Sequence, residues 1–245
     1  MGLLDHCITP NWPAPANVKA LQTTRLGGVS ATPYDTLNLG LHVGDDSVRV
    51  NRNRQSLAPF MPSEPVWLEQ VHGTVVANAD AAACRVQADA CIARQRGSVC
   101  VVMTADCLPV LMCDEAGTVV GAVHAGWKGL AAGVIEATVR AMEVAPQKLL
   151  AWFGPAIGQE AFEVGAEVRA AFVGHQAQAA EAFIAHGNDG KYHADIYLLA
   201  RQRLHMLGIE RIHGGNYCTF HQRDKFFSYR RDGVTGRMGT FIWLA

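Results

Sequence analysis

Val99-Cys100-Val101-Val102-Met103 and Val119-Val120-Gly121-Ala122-Val123 decide how this sequence folds. Each is a short, unbroken apolar run rich in β-branched residues, the composition of a strand covered on both faces, and each ends at a polar cluster. Beyond the second run the period changes. Val134, Ala137, Thr138 and Ala141 fall on one stripe of a helix expected from Leu130 to Glu143. Outward from this centre, helices are expected at Ser47 to Leu57, Glu163 to Val173 and Asp195 to Leu207. The tail returns to strand at Phe226 to Tyr229 and Met238 to Trp243, with Arg231 to Gly236 as the turn between them. Near the start, Thr24-Arg25-Leu26-Gly27-Gly28 and Asn38-Leu39-Gly40 are glycine-punctuated turns that strands should flank. Strands at both ends with helices between them make the chain α/β or α+β. No linker, charge block or repeat divides residues 1–245, which are expected to form a single domain.

With 245 residues, 49% of them hydrophobic, the chain can bury a substantial core. A net charge of −1 and a charged fraction of 18% leave no basic footprint for neutralising phosphates, so nucleic acid is not an expected partner. The opening Met1-Gly2-Leu3-Leu4-Asp5 lacks a basic segment followed by an apolar one, and no stretch approaches the roughly 18 apolar residues of a membrane helix. A cytoplasmic location without a membrane partner is expected. The seven cysteines, Cys7, Cys84, Cys91, Cys100, Cys107, Cys113 and Cys218, are odd in number and lack the spacing of a disulfide scaffold; most are expected to be buried apolar thiols.

Chemistry concentrates in three segments: Gln70-Val71-His72-Gly73, Thr104-Ala105-Asp106-Cys107-Leu108-Pro109 and Val123-His124-Ala125-Gly126-Trp127-Lys128-Gly129. In each a metal-ligand type stands just beyond an apolar run, where loops leaving a sheet converge. Two imidazoles and a thiolate suit zinc and leave a fourth position open, as catalytic sites do. The competing reading is that each is a satisfied core or surface residue, because no compact Cys-x-x-Cys or His-Glu-x-x-His pair is present. The glycines after His124 admit two readings as well: backbone N–H groups at a helix start facing an anion, with Lys128 adding charge, or plain packing. Arg25 and the constellation Ser228-Tyr229-Arg230-Arg231-Asp232-Gly233, followed by Gly236-Arg237, are candidate phosphate donors or solvated turns.

These segments, together with Thr24-Arg25-Leu26-Gly27-Gly28-Val29-Ser30, Leu37-Asn38-Leu39-Gly40-Leu41-His42-Val43-Gly44-Asp45, Gly154-Pro155-Ala156-Ile157-Gly158 and Phe227-Ser228-Tyr229-Arg230-Arg231, resemble the YfiH/laccase-domain family in order and spacing over nearly the whole chain. The resemblance implies that His72, Cys107 and His124 are zinc ligands and the catalytic cluster. It further implies phosphorolysis of adenosine, inosine and S-methyl-5′-thioadenosine to base and sugar 1-phosphate, adenosine deamination, and hence purine nucleosides and phosphate as partners. The fold it implies is a layered α/β/β/α sandwich with mixed sheets, related to proteins predicted to be cysteine hydrolases. Lys128 departs from the arginine that many members carry there, which removes a bidentate fork. Phosphate or substrate contacts are expected from Arg25, Lys128, Arg230 and Arg231. Three other functions fit parts of this pattern. A copper polyphenol oxidase follows the family's older name, and copper can occupy the same His/Cys/His site, but the chain has no His-x-His pair. A cysteine amidohydrolase acting on cell-wall precursors would use Cys107 as nucleophile with His124 as base. A structural zinc module would normally close its fourth position with another Cys or His.

Overall fold

The computed structural model describes residues 2–81, 86–187 and 189–245; Cys84 lies outside the described residues. In chain order the elements are β1 (Val18–Gln22), α1 (Ser47–Leu57), β2 (Leu68–Glu69), β3 (Val76–Asn78), β4 (Val86–Gln87), β5 (Ala90–Ala93) and β6 (Val99–Thr104). There follow β7 (Leu108–Asp114), β8 (Val120–Ala125), α2 (Trp127–Ala132), α3 (Val134–Met142), β9 (Leu149–Phe153), β10 (Glu163–Val164) and α4 (Ala166–Val173). The chain ends with β11 (Phe183–His186), β12 (Lys191–Ala194), α5 (Ile196–Met206), β13 (Arg211–Gly214), α6 (Tyr229–Asp232) and β14 (Met238–Leu244). A six-stranded sheet is ordered β13-β9-β7-β8-β5-β3 and a three-stranded sheet β1-β14-β6; β10-β12-β11 and β2-β4 form two smaller ones. The large sheet is mixed, with β13/β9 and β3/β5 parallel and its other pairs antiparallel.

The unbroken apolar runs arise because each strand is shared by two cores. Leu111 and Cys113 of β7 and Val120 and Ala122 of β8 meet Cys100 and Val102 of β6 and Ile242 and Leu244 of β14 between the two main sheets. The alternate residues Val110, Met112, Val123 and Ala125 pack with Val134, Ile135, Val139, Leu199 and Leu204 from α3 and α5. On the other side, Val99, Val101, Met103, Phe241 and Trp243 pack with Leu57 of α1 and with Trp67. Side chains alternate across a strand, so two covered faces remove the polar half of the usual pattern. Truncating a residue such as Leu111 to alanine costs about 2–5 kcal/mol.

Four local expectations change. The helix of 130–143 is two helices, α2 and α3, broken at Gly133, whose φ of 96° is left-handed and open to glycine. The buried face of α3 is Val134, Ile135, Thr138, Val139 and Met142, so Ala137 and Ala141 stand at its edge. Glu163 and Val164 belong to a strand rather than a helix, because they pair with His193 and Tyr192; α4 starts after Gly165. Phe226 to Tyr229 is not a strand: Phe226 and Phe227 fill a small core with Ala105 and Met238, and Ser228 caps α6, its hydroxyl accepting from Arg231 N at 3.2 Å. The N-terminal turns follow β1 but have no strand after them. Asn53 of α1 replaces the missing ladder, donating to the carbonyls of Asn38 and Thr36 and accepting from Val29 N at 2.8 Å.

Among the described cysteines, Cys91, Cys100 and Cys113 are buried, and Cys7, Cys107 and Cys218 are half-buried. Among the described residues, no helix is long and apolar enough to cross a membrane.

Candidate metal centre and substrate pocket

His124 sits within β8, opposite Pro109 of β7, rather than beyond the strand as its sequence context suggests. Cys107 occupies the link between β6 and β7, and His72 follows β2. Their ligand-type atoms all lie within 4.8 Å of one another, and His72 Nε2 is 3.8 Å from Cys107 Sγ. The two imidazoles meet edge to face, ring centroids 4.8 Å apart.

One side chain the motif reading missed holds two of the three. Asp89, fully buried just before β5, lies 2.8 Å from His124 Nδ1 and accepts backbone N–H bonds from Val71, His72 and Gly73 at 3.2, 2.9 and 2.6 Å. A carboxylate has no hydrogen to donate, so Nδ1 carries it and His124 turns Nε2 toward Cys107 and His72. Asp89 also fixes the loop in which His72 takes a φ of 61°, a left-handed conformation costly for a non-glycine residue. Gln70 pins the same loop to β6, donating to Met103 O and accepting from Met103 N, both at 2.8 Å. Asp106, at φ 89°, holds the Cys107 link in place by accepting from Thr219 Oγ1 at 2.6 Å and Arg230 N at 2.7 Å. The glycines after His124 are packing devices. A Cβ on Gly126 would stand 2.7 Å from His72 Cδ2 and 3.0 Å from Cys107 Sγ, and one on Gly129 would stand 2.9 Å from Gly73 O.

Burial pushes the Cys107 thiol up, but the His124 and His72 imidazoles outweigh it and bring the thiol down to about 6. Burial depresses His124 in turn, and the Cys107 thiolate and Asp89 carboxylate override it, raising the imidazole to about 9. Burial also works against the Asp89 carboxylate, yet its bonds from His124, Gly73 and Val71 hold it below the usual range. The result is a thiolate–imidazolium pair backed by a buried carboxylate. At Cys7, by contrast, burial goes unopposed and the thiol is pushed up to about 11.

The cluster opens into a cavity of about 380 Å³ lined also by His42, Gln70, Met103, Thr104, Tyr229 and Arg237. His42 and Met103 are shared with a second cavity of about 400 Å³ that includes Leu41, Arg54, Trp67 and Glu69. Both volumes fall in the small-molecule range. The half-buried Arg237 donates to Thr235 O and Gly236 O, each at 3.0 Å, and Gly40 is needed beside it, because a Cβ there would meet Arg237 Cγ at 2.9 Å. Partial burial, with the charges of Arg237, Arg54 and His124, holds His42 below its ordinary range.

The expected phosphate donors are not among the residues lining this cavity. Arg25 donates to Asp35 O and Arg223 O and pairs with the Asp35 carboxylate at 3.2 Å. Arg230 donates to Glu163 O at 2.8 Å. Arg231 is saturated by Thr219 O, Phe220 O, Phe226 O and the Asp232 carboxylate. Lys128 is exposed, its ammonium 5.7 Å from the Trp127 ring. Arg237 stands in the same basic constellation as Arg230 and Arg231, but only the turn after α6 determines which of them faces the cluster.

A family described as multi-copper polyphenol oxidoreductase laccase matches residues 19–245. A relative in Escherichia coli named purine nucleoside phosphorylase YfiH is 56% identical over 98% of this chain and 100% of its own length. One from Pseudomonas aeruginosa, also named a purine nucleoside phosphorylase, is 53% identical over 98% and 99%. Among solved structures, a Neisseria meningitidis protein superposes with a TM-score of 0.93 at 51% identity over 98% of this chain and 99% of that one. The YlmD protein of Geobacillus stearothermophilus gives 0.82 at 30% identity over 95% and 93%.

Proposed function

The chain belongs to the YfiH/laccase-domain family, and on that premise we propose that it is a zinc-dependent purine nucleoside phosphorylase that cleaves adenosine, inosine and S-methyl-5′-thioadenosine and also deaminates adenosine. The observation that carries this reading is the presence of a His/Cys/His cluster and a guanidinium, that of Arg237, on the wall of one cavity. Phosphorolysis needs both an electrophilic centre and an anion site beside a bound nucleoside.

His72, Cys107 and His124 would hold the metal, and the donor set fits: one thiolate, two imidazoles and an orienting carboxylate behind His124. Bound there, zinc supplies Lewis-acid polarisation of the reacting purine and of water. Arg237 positions phosphate for attack on C1′ of the ribose. The new O–C1′ bond forms as the C1′–N9 bond breaks, and the purine leaves with that electron pair and takes up the proton that the attacking hydrogen phosphate gives up. His42, held below its ordinary range, accepts a hydrogen bond from a protonated phosphate oxygen or a ribose hydroxyl. In this reading Arg25, Arg230 and Arg231 brace the loops around the site, and the phosphate contact passes to Arg237. Two main sheets, with α3 and α5 outside one and α1 outside the other, support reading the fold as an α/β/β/α sandwich.

A thiol hydrolase is the second reading, favoured by the depressed Cys107 thiol beside His124. Copper oxidation requires several coppers working together. Among the described residues, donors converge in two groups that share no member, which gives that reading no support.

The test is a nucleoside panel incubated with and without phosphate and analysed for free base, sugar 1-phosphate and inosine. The expected result is base and sugar 1-phosphate in equal amounts only when phosphate is present, with inosine formed from adenosine in either case. Base release that ignores phosphate, or no turnover of any purine nucleoside, would overturn the proposal.

A further inference from the structure

A second group of ligand-type side chains lies on the small sheet β10-β12-β11, outside the cavity just described. Its register places Glu163 and Ile184 on either side of His193, and Lys191 opposite His186. His186 and His193 are therefore diagonal neighbours on the face that Glu163 also occupies. Their rings stack at 4.1 Å with an interplanar angle of 18°, and His186 Nε2 is 3.7 Å from Glu163 Oε2. One donor atom from each of Glu163, His186 and His193 lies within 4.8 Å of the other two. The opposite face of the sheet is apolar: Val164, Phe183 and Ala194 pack into the core with α5. Two further cations bear on Glu163. Lys191 Nζ is 3.9 Å from Oε1, leaving Oε2 toward the histidines, and Arg230 fixes the backbone by donating to Glu163 O.

We propose that Glu163, His186 and His193 form a second metal site, which takes a divalent cation of the zinc class. Two imidazole nitrogens and one carboxylate suit zinc, nickel or copper(II), whereas magnesium and calcium call for oxygen donors. Tetrahedral zinc at about 2.0–2.1 Å from each donor brings the donors to about 3.3 Å from one another. Ligation requires the two imidazoles to rotate out of their present stack, and the exposed His186 and half-exposed His193 face solvent where they can turn. Three protein donors leave the remaining positions to water, so the site exchanges readily. Its occupancy adds to the total metal content of the protein, so bulk zinc does not report the His72/Cys107/His124 cluster alone. The proposal is independent of the function proposed above.

The test is calorimetric titration of the full-length, metal-stripped protein with zinc chloride. The native chain is expected to bind about two zinc ions, one at each three-donor group. H186Q/H193Q should lose the weaker event and keep the tighter one, with metal-free thermal unfolding unchanged. E163Q should weaken that same event about tenfold or more. C107S should lose the tighter event alone, so failure of one site is distinguishable from failure of the other. Unchanged stoichiometry and affinity in H186Q/H193Q would overturn the proposal. A variant-free readout is cobalt(II) in the native protein, which must broaden the imidazole resonances of His186 and His193 and leave those of His205 and His221 sharp. Equal sharpness of all four would overturn it as well.

Discussion

At His72, Cys107 and His124 each donor is held by something behind it, whereas Glu163, His186 and His193 stand on an open sheet face without a buried carboxylate behind either imidazole. Asp89 orients His124 and ties down the His72 loop, Asp106 anchors the Cys107 link, and Gly126 lets the backbone approach His72 and Cys107 closely. The exposed trio has the stacked rings and two long ion pairs, of Glu163 with His186 and with Lys191, and a pair of that kind contributes about 0–1 kcal/mol. The same residue types thus differ in how far ligation is prepared in advance, and preparation is what a catalytic centre requires.

The difference is tested most severely at Cys107. Cys107→Ser removes the thiolate of the cluster at His72, Cys107 and His124, and metal analysis after purification should show zinc content lower by about one equivalent and base release at background. Retained phosphorolysis without zinc would show that the metal serves another purpose.

Asp89→Asn keeps the shape and removes the charge that orients His124 and the His72 loop. We expect about a 10–100-fold loss of zinc affinity or activity, read by chelator competition and kcat/KM. The same substitution alters acid stability. The Asp89 carboxyl lies below its ordinary value in the folded protein, so the stability it contributes is complete above about pH 3.9, the unfolded value, and is lost as pH falls toward the lower folded value. Unfolding curves for the variant should be flatter across that acid window; an unchanged slope would mean that Asp89 does not carry the charge assigned to it.

Arg237→Met should raise the KM for phosphate about 10–100-fold, the equivalent of one charge-assisted bond, while deamination persists. Arg231→Met should instead lower the unfolding temperature and reduce both reactions together, because its donors brace Thr219, Phe220 and Phe226. Equal effects of the two variants on phosphate KM would erase the distinction between wall and scaffold. The smallest effect belongs to the open cluster. H186Q/H193Q should leave phosphorolysis within about twofold of the native rate, as surface changes generally do.

The strands around Val99–Met103 and Val119–Val123 were legible because burial on both faces writes itself as an unbroken apolar run. His72, Cys107 and His124 were legible as unusual residue types beside such runs and through the family's motifs. Asp89 was not: one acidic residue between Ala88 and Ala90 carries no local sign that four bonds converge on it. The arginines were ambiguous for a similar reason. Arg230, Arg231 and Arg237 share one basic segment, and which of them faces the cavity depends on α6 turning at Ser228, within a stretch that reads as a strand. Phe226 and Phe227 misled in the same way, since their burial comes from a local core rather than from a ladder.

The most direct measurement is phosphate-dependent release of base from adenosine by full-length protein, first stripped of metal and then supplied with one equivalent of zinc. Activity should vanish on stripping, return with zinc, and yield ribose 1-phosphate in step with adenine. Full phosphorolysis by the stripped protein, abolished instead by alkylation of Cys107, would contradict a metal-based reaction at His72, Cys107 and His124.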